Sequence, residues 1–349
     1  MSKAKMLQMK CQQQGKAVLP LLIGLVAVAG IGLYAWINRP QEPIARVDAA
    51  KQQPAKEAAK RPLFQAPSDA EMAAHADADL IKYGKELVAN TSIYLGPQGK
   101  VARISNGMNC QNCHLAAGTK PWGNNYGAVA ANYPKYRDRS GTVEDIPKRV
   151  NDCIERSLNG KPLDRNSREM KAFEAYIKFV GEKVPKNEIP NGTGIWKVAY
   201  LDRAADPKVG KTLFQQKCMS CHGAEGQGVP KPDGSGYVYP PLWGKHSYNS
   251  GAGIYRLSRM AGYIKANMPF GTNFDKPQLT DEQAWDLAAF INSMDRPSKD
   301  LSKDWPKIEA KPVDHPFGPY ADTFSETQHK YGPFKPIVAY RKEHGQPVK

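Results

Sequence analysis

The sequence predicts a mainly α-helical chain in which two small domains of one type stand in tandem. Three observations predict it. Cys110-Gln111-Asn112-Cys113-His114 and Cys218-Met219-Ser220-Cys221-His222 repeat one Cys-x-x-Cys-His spacing about 108 residues apart. A Gly-Lys pair precedes each copy, Gly84-Lys85 and Gly210-Lys211. Each copy also closes with an amphipathic helix. Met170, Phe173, Tyr176, Ile177 and Val180 fall at helical spacing in the first; Trp285, Leu287, Ala288, Phe290 and Ile291 do so in the second, after Thr280 as a cap. A chain of 349 residues holds two such cores with segments to spare.

In chain order, residues 1–16 read as a cytoplasmic N-terminus. Ala17–Ile37 follows, 21 residues with no charge and one proline, Pro20. At 1.5 Å per residue this run just crosses a hydrocarbon core of about 30 Å. Lys3, Lys5, Lys10 and Lys16 precede it and only Arg39 follows closely, which keeps the N-terminus inside and the rest of the chain outside. A cleaved signal ending at Ala27-Val28-Ala29 is the alternative. The apolar sequence continues to Ile37, further than a cleaved signal needs, and favours a transmembrane anchor. Residues 38–68, rich in Ala, Pro, Gln and Lys, read as a flexible spacer. The first domain is expected over 69–185, a linker over 186–204 and the second domain over 205–297. Residues 298–349 show no helix or strand period, yet the aromatics of His315–Tyr320 and Tyr331–Ile337 argue against disorder. An irregular C-terminal strap lying over the domains is expected there.

The formal net charge is +15, five of it from residues 1–39, which hold no acid. The remaining positive charge is spread along the chain and no nucleic-acid motif accompanies it, so no nucleic-acid partner is expected. A solvated basic surface, an acidic protein partner or a small anion accounts for it.

Six cysteines are too few for a disulfide scaffold. Cys-x-x-Cys-His is the attachment signature of c-type haem: the thiols add to the haem vinyl groups and the adjacent histidine coordinates iron. Zinc or thioredoxin-like use of the pairs leaves the histidine after both unexplained. Two covalently bound haem c groups are therefore expected, on Cys110 and Cys113 and on Cys218 and Cys221, with His114 and His222 as proximal iron ligands. The two domains are then class I cytochrome c-like. Such attachment occurs outside the cytoplasm, in agreement with the anchor.

Each iron needs a sixth ligand or an open position. In the second domain Met268 follows Asn267 and precedes Pro269-Phe270-Gly271, where a proline-flanked loop holds a thioether stiffly. Met260 falls inside a helix expected over Ile254–Asn267 and reads as core. Thioether ligation raises the reduction potential, which suits an electron exit. The first domain offers one methionine after His114, Met170, on the apolar face of its closing helix, and no further histidine. Cys153 remains. Thr142–Gly160 reads as a helix with Pro147 near its first turn and Asn159-Gly160 at its end. Ile146, Val150, Cys153, Ile154 and Leu158 then share one face. Cys153 is either an iron ligand or a buried free cysteine acting as a small hydrophobe. Arg149 at i−4 and Arg156 at i+3 favour a thiolate, and free cysteines are uncommon in an oxidising compartment.

With these parts the sequence resembles the thiosulfate dehydrogenases, dihaem c-type cytochromes of bacterial sulfur metabolism. The resemblance covers most of residues 78–340. It rests on Gly107-Met108-Asn109-Cys110-Gln111-Asn112-Cys113-His114, on Tyr136-Arg137-Asp138-Arg139, and on Asn151-Asp152-Cys153-Ile154-Glu155-Arg156-Ser157-Leu158-Asn159-Gly160. Asn267-Met268-Pro269-Phe270-Gly271 and Gln328-His329-Lys330-Tyr331-Gly332-Pro333-Phe334 fit too. The resemblance implies His114/Cys153 ligation at a catalytic first haem. It implies His222/Met268 ligation at a second haem that relays electrons to a soluble or membrane cytochrome c-type acceptor. The implied reaction couples two thiosulfate ions to tetrathionate, in either direction. Some relatives carry at the place of Asn267 a lysine that can replace the methionine; this chain does not. Many relatives are soluble after export, so the anchor is a departure.

Bringing two dianions together needs cationic, directional donors, and guanidinium supplies them. Arg103, Arg149 and Arg156 are the candidates by nearness in sequence, each equally readable as a haem-propionate partner or a surface charge. Two other functions stay open: a dihaem electron-transfer subunit of a respiratory oxidase or dehydrogenase, and a dihaem peroxidase. A cysteine ligand argues against both.

Overall fold

Paired helices organise both halves of residues 62–348, the part of the chain that the computed structural model describes. The anchor expected over residues 17–37 lies outside the described residues. Among the described residues no helix is long and apolar enough to cross a membrane.

In the first half, α1 (Asp69–Ala74) starts at a Ser68–Glu71 capping box and leads into α2 (Ala78–Ala89). A short hairpin pairs β1 (Lys135–Arg137) with β2 (Thr142–Glu144) and delivers the chain to α3 (Ile146–Arg156). The helix expected from Thr142 thus begins later. Thr142–Glu144 finds hydrogen-bond partners across the hairpin, and Asp145 caps α3 by accepting from the Lys148 N–H at 2.9 Å. The closing helix α4 (Arg168–Val180) crosses α2. The second half repeats this with α5 (Pro207–Lys217), the small hairpin β3 (Val229–Pro230) and β4 (Tyr237–Tyr239), then α6 (Leu257–Asn267) and the closing helix α7 (Asp281–Ser293). Thr280 forms the expected cap, as a capping box with Gln283.

The repeated Gly-Lys pairs explain the two crossings. A Cβ on Gly84 would sit 2.0 Å from the Ala172 carbonyl oxygen, and one on Gly210 1.9 Å from that of Asp286. Any larger residue would push the first and last helices of either half apart, so both positions need glycine. Phe173, Tyr176, Trp285, Leu287 and Ile291 are buried at or beside these crossings, as their spacing predicts.

The strap is less irregular than expected. It contains α8 (Glu326–Tyr331) and α9 (Lys335–Glu343). Ser325 caps the first, and Pro336 occupies the first turn of the second. Each is too short, and Gly332-Pro333 divides them too closely, for an apolar period to show. The strap is clamped by buried polar groups. Asp314 accepts from Arg256 Nε at 2.8 Å and from the Ser258 N–H at 3.0 Å. His329, fully buried, engages the Val313 carbonyl through Nδ1 and Asp322 through Nε2, both at 2.8 Å, while Arg341 holds the other Asp322 oxygen. These bonds pair the buried charges of Asp314, Asp322 and Arg341.

The two halves meet at the C-terminus of α3. Its last carbonyls lack helical partners, and Asn249 of the second half supplies them. The Asn249 N–H donates to Arg156 O at 3.0 Å, and its Nδ2 to Glu155 O at 2.8 Å.

Candidate active site

The first cavity, about 180 Å³, is walled by Cys110, Cys113, His114, Arg149, Cys153 and apolar residues that include Tyr126, Val129 and Phe173. Cys110 and Cys113 flank a single turn, Cys110–Asn112, whose Asn109 and Asn112 cap each other. His114 Nδ1 lies 2.5 Å from the Asn124 carbonyl oxygen. A carbonyl can only accept, so Nδ1 carries the proton and Nε2 is left with its lone pair. Burial lowers the His114 pKa to about 4 and keeps the ring neutral, the form that binds a metal. Burial likewise pushes both attachment thiols up to about 12. Cys153 projects from α3 into the same space, and none of the described cysteines is in a disulfide. Arg149, one helical turn before Cys153, lines the same cavity, and the charge of the Cys153 sulfur holds its guanidinium above the ordinary pKa.

The second cavity, about 320 Å³, is walled by Cys218, Cys221, His222, Met260, Met268 and mostly apolar neighbours such as Leu242, Ile264 and Leu287. His222 Nδ1 lies 2.9 Å from the Pro240 carbonyl oxygen, the same tautomer-setting contact as in the first half. Met268 is the C-cap of α6, and Met260 sits within α6 at 4% exposure. Both cavities share Met108 and Cys113 as wall residues, so the first attachment turn is also part of the second site. In each cavity two thiols and an Nε2 lone pair face an apolar cleft that carries a soft sulfur donor, which is the donor set of c-type haem.

Comparison with known proteins agrees with this geometry. A family model described as cytochrome c matches residues 208–295, and one described as SoxA/TsdA, cytochrome c domain, matches residues 100–185. The thiosulfate dehydrogenase of Stutzerimonas stutzeri is 33% identical over 279 residues, 79% of this chain and 86% of the relative. The chain belongs to the thiosulfate dehydrogenase family. The family member from Psychrobacter arcticus is 40% identical over 210 residues, 59% of this chain and 62% of the relative. The structure of the thiosulfate dehydrogenase TsdBA from Marichromatium purpuratum superposes with a TM-score of 0.62 at 29% identity, covering 76% of this chain and 54% of that one. The chain thus spans less than two thirds of the length of these last two relatives. Its two cytochrome c domains each hold a covalent haem c.

Within this thiosulfate dehydrogenase fold the three arginines picked from sequence part company. Arg149 lines the first cavity, on the same helix and the same wall as Cys153. Arg156 points away from the cavity into a bidentate pair with Asp304, 2.8 Å at both nitrogens. Arg103 is exposed and is not among the cavity walls. Both depart from the expectation for the same reason: nearness in sequence on a helix or loop does not fix the direction of a side chain. Arg139, passed over in the sequence, is pulled down to about 10 by burial and by the charges of Arg149 and Arg156. Its backbone carbonyl accepts from the Trp305 N–H at 2.7 Å, so the strap holds it there. Ser157 and Tyr133 also line the cavity. The Tyr136-Arg137-Asp138-Arg139 motif was the available signal for Arg139; nothing local marked the others.

Proposed function

We propose that this chain couples two thiosulfate ions to tetrathionate in the first cavity and passes two electrons outward by way of the second. The meeting of Cys153, Arg149 and His114 in one buried cleft carries this reading. When bound, the two haems supply two one-electron acceptors, matching the two electrons that the coupling releases. His114 and Cys153 would hold the iron of the first haem, and His222 and Met268 that of the second. Arg149, with Arg139 behind it, holds the sulfonate end of thiosulfate and offsets the repulsion between two dianions. The Cys153 thiolate bonds the outer sulfur of a first thiosulfate, giving a cysteine S-thiosulfonate as two electrons leave. The outer sulfur of a second thiosulfate then attacks that sulfur. The S–S bond of tetrathionate forms, the bond to Cys153 breaks, and the thiolate is regenerated. The apolar wall keeps water from competing for the activated sulfur. A small soluble or membrane cytochrome is the fitting acceptor. The uncharged run Ala17–Ile37 and extracytoplasmic haem attachment support a tether at the periplasmic face of the membrane.

The test is thiosulfate-dependent reduction of an artificial acceptor by the purified holoprotein. Turnover is expected, and Cys153→Gly is expected to keep both haems attached and lose it. A holoprotein that binds both haems yet never reduces the acceptor with thiosulfate refutes the proposal.

A further inference from the structure

The helix that ends at Met268 is held from the other half of the molecule. Tyr263 Oη on α6 donates to the Asn112 backbone carbonyl at 2.7 Å, between the two attachment cysteines of the first domain. One turn later Asn267 Nδ2 donates to the Trp122 carbonyl and to the Tyr263 carbonyl, both at 3.1 Å. The i, i+4 spacing puts both side chains on one helix face, and both are buried, Asn267 to 4% exposure. Lys120 Nζ reaches the Thr272 carbonyl at 3.4 Å, tying the loop after Met268 to the same first-domain segment. On its outer side that loop has little support. Phe270 is 89% exposed, and a Cβ on Gly271 would find nothing within 4 Å.

We propose that Tyr263 and Asn267 are positioning residues for Met268: the first domain, through the carbonyls of Asn112 and Trp122, sets the seat of the second domain's thioether. This rests on the reading of Met268 as an iron ligand. A methionine that follows directly on a pinned helix terminus starts from a defined place. With the pins cut, the loop after Met268, whose Phe270 and Gly271 stand exposed, offers little to keep the sulfur in line.

The consequence is measurable as competition. An external ligand binds only the fraction of protein in which the methionine has swung away, so its apparent affinity reports that fraction. The experiment titrates the oxidised full-length holoprotein with imidazole and follows the absorption band of methionine-ligated ferric haem. Tyr263→Phe and Asn267→Ala are each expected to tighten imidazole binding at this haem about fivefold, the factor for one net hydrogen bond. The double variant is expected to reach about 25-fold if the pins act independently. Tyr255→Phe is the control. It removes a buried 3.1 Å bond to the Asn292 carbonyl inside the second half and is expected to leave imidazole affinity unchanged. Unchanged affinity in both pin variants, with the band intact, overturns the proposal and leaves the activity reading standing. An equal gain in Tyr255→Phe overturns it too, because the effect is then general loosening. Absence of the band from the unaltered protein overturns the Met268 assignment and this proposal with it.

Discussion

Replacing Arg156 by alanine is expected to cost stability rather than substrate affinity. Arg156 Nη1 and Nη2 meet the two Asp304 oxygens at 2.8 Å, and the two side chains are only 11% and 10% exposed. The pair joins the last turn of α3, three residues beyond Cys153, to the start of the strap. Arg156→Ala leaves the Asp304 carboxylate buried without its partner. Breaking such a pair costs about 3–5 kcal/mol, and at these exposures solvent screening removes little of it. For a unit of this size 1 kcal/mol moves the unfolding midpoint by about 2 °C, so a drop of about 6–10 °C is expected. The assay is thermal unfolding followed by far-ultraviolet circular dichroism, run beside the KM for thiosulfate. Arg156→Met combined with Asp304→Leu is expected to recover most of the loss, because it removes both charges and retains volume. A midpoint shift below about 2 °C together with a tenfold rise in KM would refute this reasoning and return Arg156 to the substrate site.

Cys153→Met is expected to give a folded, low-spin protein with turnover reduced at least about 10²-fold, since a thioether can still ligate iron but cannot form a cysteine S-thiosulfonate; near-normal turnover in acceptor-linked assays removes the covalent step. Met268→Gly is expected to change the spectrum of the second haem and slow electron delivery to the acceptor, whereas Met260→Gly, lying within α6, is expected to act as a core cavity that leaves the ligand spectrum in place; the opposite pattern reassigns the ligand. His315 is 7% exposed, and burial, aided by Lys311, lowers its pKa to about 3. Against an unfolded value near 6.5, the unfolded chain takes up a proton between about pH 6.5 and 3 that the folded chain refuses, so stability falls as the pH falls through that window. His315→Gln is expected to flatten that part of the profile, read as urea midpoints at pH 7 and pH 4; an unchanged slope shows that His315 does not contribute.

The second cavity is built on the back of the first. Cys113 and Met108 wall both, and the Asn112 carbonyl between the attachment cysteines receives Tyr263. A change at the first attachment turn is therefore felt at both centres. The strap adds to this coupling, since Asp304 and Trp305 reach Arg156 and the Arg139 backbone in the first half.

Haem count was legible in the sequence because covalent attachment is local: five contiguous residues carry all of its chemistry. The closing helices were legible through the apolar faces of α4 and α7, since helical period is also a short-range property; that Gly84 and Gly210 sit at the helix crossings came only with the fold. Cys153 was open to two readings, and its place on the cavity wall came only with the fold. The roles of Arg103, Arg139, Arg149 and Arg156 depended on where helix α3, the Lys135–Glu144 hairpin and the strap pack, contacts that join residues as far apart as Arg156 and Asp304. The same holds for the hydrogen bonds of Tyr263 and Asn267 to the first domain. A motif records what a residue's neighbours in the chain require of it; partners more than a hundred residues away are chosen by packing, which leaves no period and no spacing to read.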